Sequence, residues 1–243
     1  MDTIKFNKKN VKMVAHRGLS GIERENTYPA FVAAGNRSYF GIESDVHKTA
    51  DGKFVIIHDE TTRRVSLKTI NINVEQSSHH AVNHVVLPDL DGSFERQDIR
   101  IPTLKDYINI CKKYQKISVL ELKNDFSNED VQAIINEIDE CGYLEGTIFI
   151  SFSLQNCLYL RELLPFAKIQ WLIGDKEVDD GIIKTLIENG LDLDVYYKRV
   201  TKELVDRLHE IGIEINCWTC DKAEAGEQLA EMGVDYITSN ILE

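Results

Sequence analysis

The sequence predicts a (β/α)8 barrel, and three observations point there. The chain has 243 residues, close to the roughly 250 typical of that fold. Eight short apolar, β-rich runs alternate with longer segments of helical periodicity. Several helical segments end on a glycine that leads at once into the next apolar run. Such repeats imply parallel strands joined by right-handed crossovers. An open doubly wound sheet would show the same alternation, and strand count alone leaves that alternative standing.

In order, the expected strands are Lys12–Ala15, Phe40–Val46, Ser118–Leu122, Thr147–Ser151, Lys168–Ile173, Leu191–Tyr196, Glu214–Trp218 and Val234–Thr238. Each is short and rich in β-branched or aromatic residues. Asp51-Gly52 forms a tight turn after the second strand, and Phe54–His58 is a further extended run behind it. The expected helices are Thr27–Asn36, Thr103–Tyr114, Asn128–Glu140, Leu154–Leu163, Val178–Asn189, Lys202–Ile211 and Lys222–Met232. Ser127 precedes Asn128-Glu129-Asp130, so its hydroxyl can accept from a free amide of the first turn. Ser153 and Thr201 are assigned the same role. Gly142, Gly190, Gly212 and Gly233 fall just past helical stretches, where a left-handed residue closes a helix. The rhythm breaks once, over Asp59 to Ile101. That stretch reads as an insertion over the C-terminal face of the barrel, too short for a core of its own. Residues 1–243 are therefore read as a single domain.

Composition narrows the function. Hydrophobic residues make up 43% and charged residues 28% of the chain, which fits a soluble globular protein. Lys plus Arg number 28 against 40 Asp plus Glu, a net charge of −12. That balance argues against nucleic acid as a partner, because basic patches supply that affinity, and it repels anionic membranes. A local metal ion can still reverse the field inside one cleft. No apolar run approaches the roughly 18 residues of a membrane span, so no stable membrane insertion is expected. Met1 to Asn10 carries three lysines without an apolar segment of signal-peptide length, so export by the general secretory route is not expected. Five irregularly spaced cysteines fit a reducing, cytoplasmic compartment. Self-association into a homo-oligomer is left open.

The chemistry gathers at strand ends. The first strand delivers Ala15-His16-Arg17-Gly18 into a loop, placing an acid–base group and a fixed cation at the rim. In Gly41-Ile42-Glu43-Ser44-Asp45-Val46 the side chains alternate, so Glu43 and Asp45 share the interior face. Two carboxylates there need neutralising, by a divalent cation with oxygen ligands or by salt bridges to Arg or Lys. His47 is placed beyond the strand, on the rim. His58 returns near the end of the second strand. Two histidines facing one anion can act as acid and base. Leu120-Glu121-Leu122-Lys123 adds a third carboxylate, Glu121, and a cation for phosphate oxygens, Lys123.

These residues resemble the glycerophosphodiester phosphodiesterase family. The matching motifs are His16-Arg17-Gly18, Glu25-Asn26-Thr27 with Ala30-Phe31, Glu43-x-Asp45-Val46-x-x-Thr49-x-Asp51-Gly52 and His58-Asp59. Ile101-Pro102-Thr103-Leu104, Glu121-Leu122-Lys123 and Val234–Thr238 continue the likeness, which runs from about Val14 to Thr238. The resemblance implies a (β/α)8 TIM barrel hydrolysing glycerophosphodiesters to glycerol 3-phosphate and an alcohol. It implies a divalent metal, Ca2+ or Mg2+, on Glu43, Asp45 and Glu121. It implies acid–base roles for His16 and His58, phosphate contacts for Arg17 and Lys123, and a place for Trp218 beside the glycerol. The chain departs from the family pattern at Arg24, where proline is usual, and at Glu60–Arg64. It departs again at Ser239-Asn240, with the closing helix short or missing.

Other features carry less. Cys217-Trp218-Thr219-Cys220 has redox spacing but no helix start between its cysteines. His79, His80 and His84 read as a solvated loop. Tyr196-Tyr197-Lys198 and Phe152 read as rim or core. Two further functions compete with hydrolysis of glycerophosphodiesters. A related phosphodiesterase acting on lysophospholipids would need an apolar entry surface, which Val82, Val85, Val86 and Leu87 only weakly offer. A catalytically silent phosphodiester-binding barrel predicts lost histidines or carboxylates, and none is lost.

Overall fold

The computed structural model describes residues 2–243. Nine strands and eight α-helices follow one another. They are β1 (Lys12–Ala15), α1 (Tyr28–Gly35), β2 (Gly41–Lys48), β3 (Phe54–Ile56), α2 (His79–Asn83), α3 (Leu104–Tyr114), β4 (Ile117–Leu122), α4 (Asn128–Glu140) and β5 (Thr147–Ser151). The second half runs α5 (Leu154–Leu163), β6 (Ile169–Leu172), α6 (Asp180–Asn189), β7 (Asp192–Tyr196), α7 (Lys202–Glu210), β8 (Ile215–Trp218), α8 (Ala223–Met232) and β9 (Tyr236–Ser239). The strand order is β1-β9-β8-β7-β6-β5-β4-β2, and β1 pairs with β2 to close the ring. All eight ring contacts are parallel. The sheet is therefore a closed (β/α)8 barrel, and the open-sheet alternative falls. β3 is an extra strand, antiparallel on β2.

Period-two alternation sorts the strand residues into two cores. Ile42, Val46, Leu120, Leu122, Phe149, Leu193, Val195 and Ile215 join Phe31, Tyr107, Ile134, Leu160, Leu186 and Leu208 of the helices. Val14, Val119, Ile148, Ile150, Leu172 and Tyr236 form a separate cluster inside the barrel. Each such side chain contributes roughly 1.5–3 kcal/mol on full burial. Gly190 and Gly233 close α6 and α8 in the left-handed conformation, as their positions imply.

The structure corrects four details. β2 runs on to Lys48, so His47 lies within the strand and is buried rather than on the rim. β3 prolongs it by pairing His47 with Val55. Ser153 makes no side-chain cap, whereas Ser127 and Thr201 accept from Asp130 and Leu204 amides. The strongest cap is one that the sequence reading passed over, a reciprocal capping box between Thr103 and Asp106. Finally, the insertion holds a helix, α2, and an apolar cluster of Val65, Val74, Val82, Val85, Leu87, Ile99 and Ile101. That cluster is completed by Val55 and Ile57 of the β3 run, so it is a lobe built on the barrel. Arg24, where the family usually has proline, donates to the carbonyls of Pro88 and Asp89 and fastens this lobe.

After β9 no helix follows among the described residues, and Leu242 instead bridges Ile4. Among the described residues no helix is long and apolar enough to cross a membrane.

Candidate active site

The C-terminal ends of β2 and β4 bring three buried carboxylates together. Asp45 stands directly opposite Glu121 in the parallel register, and Glu43 lies two residues earlier on the same face. Oxygens of Glu43, Asp45 and Glu121 fall within 4.8 Å of one another. Lys123 Nζ lies 2.9 Å from Glu121 and 3.7 Å from Asp45. Arg17 Nε lies 3.7 Å from Asp45, while its Nη1 donates to Glu25 at 2.9 Å. Salt bridges thus supply part of the neutralisation expected from sequence. They do not complete it, because Lys123 and Arg17 are the two cations beside the three carboxylates and Arg17 is shared with Glu25.

The titration directions show the remaining imbalance. Burial, with the charge of Asp45 added, drives Glu43 well above the usual carboxylate range. Burial and Asp45 likewise push Glu121 up to about 7. Burial would raise Asp45 too, but Lys123, His58 and Arg17 outweigh it and hold that carboxyl low. Asp45 Oδ1 has no hydrogen-bond partner among the described residues. An all-oxygen donor set with an orphaned carboxylate oxygen fits a hard divalent cation. Such an ion would relieve the crowding that now disfavours ionisation.

The loop after β1 is shaped around this cluster. Arg17 and Gly18 adopt left-handed φ values of 53° and 74°. That turn aims the Arg17 backbone N–H at Glu43 Oε2, 2.7 Å away. A Cβ on Gly18 would come within 2.7 Å of the Ala30 backbone, so only glycine fits. Asn26, also left-handed and buried, donates to Asp45 Oδ2 at 2.7 Å and accepts from Ser44 at 2.9 Å.

The two histidines are held differently. Asn240 donates its Nδ2 to Asp221 at 2.7 Å, which turns its Oδ1 toward His16 Nδ1, also 2.7 Å away. His16 therefore carries its proton on Nδ1, leaving Nε2 free beside Glu43 at 4.0 Å. Burial, with Arg17 adding, lowers its pKa to about 4. His58 Nδ1 lies 2.7 Å from Asp59 Oδ1, and Arg64 braces the same carboxylate at 2.8 and 2.9 Å. Burial lowers His58 as well, against the opposing pull of Asp45. Arg64 also reaches Glu25 at 2.6 and 2.8 Å, tying the lobe to the Arg17 side.

His16, Arg17, Glu43, His58, Glu121 and Trp218 line one cavity of about 130 Å³, together with Ile150, Phe152, Leu172, Asp194 and Thr238. Lys123 opens on a neighbouring cleft of about 530 Å³, shared with His47, His58 and Asn124. The structure thus brings all eight sequence-selected residues to one end of the barrel. Phe152 is among the cavity walls, and Tyr196 stacks on Trp218 at 5.9 Å. His79, His80 and His84 sit apart on the lobe, with the last two rings 4.1 Å apart. Sequence reading quoted Asn26 and Asn240 without giving either a role, and missed Asp194. Asp194 had a signal, since Asp192-Leu193-Asp194-Val195 alternates polar and apolar as β2 does. Cys111, Cys141, Cys157, Cys217 and Cys220 are all free thiols.

Residues 16–242 match the glycerophosphoryl diester phosphodiesterase family. The chain belongs to this family. Among curated family relatives, a glycerophosphodiester phosphodiesterase of Caldanaerobacter subterraneus subsp. tengcongensis is 27% identical over 237 residues, covering 94% of this chain and 93% of that one. Human lysophospholipase D is 28% identical, covering 94% and 83%. A phosphodiesterase of Oleispira antarctica, solved with sn-glycerol-3-phosphate, superposes with a TM-score of 0.86 at 20% identity, over 98% and 96% of the chains. A family structure from Parabacteroides distasonis gives 0.78 at 25% identity, over 95% and 93%.

Proposed function

We propose that this family member hydrolyses glycerophosphodiesters to glycerol 3-phosphate and an alcohol in the presence of a bound Ca2+ or Mg2+. The observation that carries the reading is the convergence of Glu43, Glu121, two histidines and Arg17 on one small cavity at the strand C-termini, with Asp45 completing the carboxylate cluster beside it, where barrel enzymes keep their active sites. A divalent cation on Glu43, Asp45 and Glu121 would offset charge developing on the phosphoryl oxygens. Arg17 and Lys123 bind and orient the same phosphate. One histidine takes the proton of the attacking oxygen as that oxygen bonds to phosphorus; the oxygen belongs to water, or to the substrate's own glycerol hydroxyl, in which case water opens the resulting cyclic phosphate in a second step. The bond from phosphorus to the head-group oxygen breaks, and the other histidine supplies the departing alcohol with its proton. Turnover of glycerophosphocholine and glycerophosphoethanolamine should vanish on chelation and return with Ca2+ or Mg2+. Full turnover by metal-free protein would refute the reading.

A second reading has its own support. Of the residues the sequence offered as an entry surface, Val82, Val85 and Leu87 are buried and Val86 is exposed, and the lobe also exposes Leu67, Ile70, Leu90 and Phe94, apolar side chains that an acyl chain could contact. A higher kcat/KM for lysophospholipids than for glycerophosphocholine would favour it. The five free thiols support a reducing, cytoplasmic setting.

A further inference from the structure

The barrel interior holds a fourth buried carboxyl that the phosphoryl chemistry leaves unused. Asp194 on β7 is only 1% exposed and lines the 130 Å³ cavity. In the ring of strands β7 stands four places from β2 in either direction, so Asp194 faces the carboxylate cluster from the far wall. Its Oδ2 accepts from Asn216 Nδ2 at 3.2 Å. Asn216 is itself fixed, donating to Gln170 at 3.0 Å and accepting from Thr238 at 3.2 Å. Asp194 Oδ1 has no partner among the described residues, and neither has Trp218 Nε1. Both residues line the same cavity. Its apolar walls are Ile150, Leu172 and Phe152.

An orphaned acceptor and an orphaned N–H donor in one partly apolar cavity suit a group that donates and accepts at once. An alcohol hydroxyl does so, with its carbon skeleton against the apolar walls. One water needs about 10–15 Å³ of such space, so the 130 Å³ cavity holds on the order of ten water-sized groups, enough for a small polyol phosphate. We propose that Asp194 is a specificity-determining residue whose Oδ1 binds a hydroxyl of a short polyol, the glycerol half of the diester, beside the Trp218 indole N–H. This deepens the hydrolase reading and rests on it. An alkyl or aryl occupant would leave both polar atoms unpaired, which costs discrimination of about 10- to 100-fold.

The test compares wild type, Asp194→Ala, Asp194→Asn and Trp218→Phe, each loaded with the same divalent metal. The readout is the ratio of kcat/KM for glycerophosphocholine to that for bis(p-nitrophenyl) phosphate. Asp194→Ala should lower this ratio about 10- to 100-fold, chiefly through KM for the glycerol diester. Asp194→Asn, which keeps an acceptor oxygen, should recover part of it, and Trp218→Phe should lower it in the same sense. Equal losses on both diesters would mark Asp194 as structural and overturn the proposal. An unchanged ratio would mean that water occupies the position, and would overturn it too. Calorimetric binding of sn-glycerol 3-phosphate relative to inorganic phosphate reads the same preference without turnover. Should wild type cleave neither diester, the hydrolase reading fails, and this binding comparison still decides the role of Asp194.

Discussion

His16 and His58 are each gripped at Nδ1, and the gripping groups set their character. An amide oxygen holds His16 without adding charge, so burial dominates and its pKa falls to about 4. A carboxylate holds His58, and Arg64 balances that carboxylate in turn. His16→Ala and His58→Ala should each lower kcat at least about 100-fold with circular dichroism unchanged, since both sit at the rim. Near wild-type kcat in either would remove its assigned role. The His16 shift also has a stability consequence in metal-free protein. The unfolded chain takes up a proton on this ring near pH 6.5, while the folded chain waits until about 4. Its contribution is thus fully present above about 6.5 and is lost as pH falls toward 4. Glu43 and Glu121 titrate in the opposite sense, so the readout is a difference. Urea unfolding of wild type should lose up to roughly 3 kcal/mol more than His16→Asn between pH 7.5 and 4. Identical pH profiles for the two proteins would contradict the buried neutral ring. At this scale strand parity made Glu43, Asp45 and Glu121 legible. It did not reveal that His47 is buried, donating to the His58 carbonyl at 3.1 Å, because β3 extends β2 through long-range pairing.

The eight barrel strands were readable because each is a short apolar or alternating run bounded by a turn or a helix. The lobe over residues 59–101 was not, and the reason is physical. Its cluster joins Val55 and Ile57 to residues as distant as Ile99 and Ile101, and its one helix spans only His79–Asn83. No local period marks such an assembly. Its apolar link to the barrel passes through Val55 and Ile57, while Arg24, Arg64 and Arg96 provide polar ties. Ile99→Ala should therefore cost about 2–5 kcal/mol within the lobe. Amide hydrogen exchange should quicken across residues 59–101 and change little in β4 to β9. A uniform rise through the barrel strands would show instead that lobe and barrel open as one unit.

For the molecule as a whole, the pairing of β2 with β4 puts Glu43, Asp45 and Glu121 together in a chain already carrying −12. Two accounts of that arrangement make opposite predictions. If Lys123 and Arg17 suffice, the cluster is a structural ion-pair network, and removing one carboxylate leaves a buried cation short of a partner, which destabilises. If the cluster is a cation site, the metal-free fold is strained by like charges, and Glu43→Gln should raise its melting temperature at pH 8. The upward drive on Glu43 and Glu121 favours the second account. A metal that binds only the folded state adds RT ln(1 + [L]/Kd), about 2.7 kcal/mol at a hundredfold excess over Kd. For a chain of this length that is a rise of roughly 5–11 °C. Calorimetry should therefore show wild type gaining stability with Ca2+ or Mg2+ and losing it on chelation. Glu43→Gln should be more stable than metal-free wild type and respond weakly to either ion. A variant less stable than metal-free wild type, with no metal response in either protein, would establish the ion-pair account.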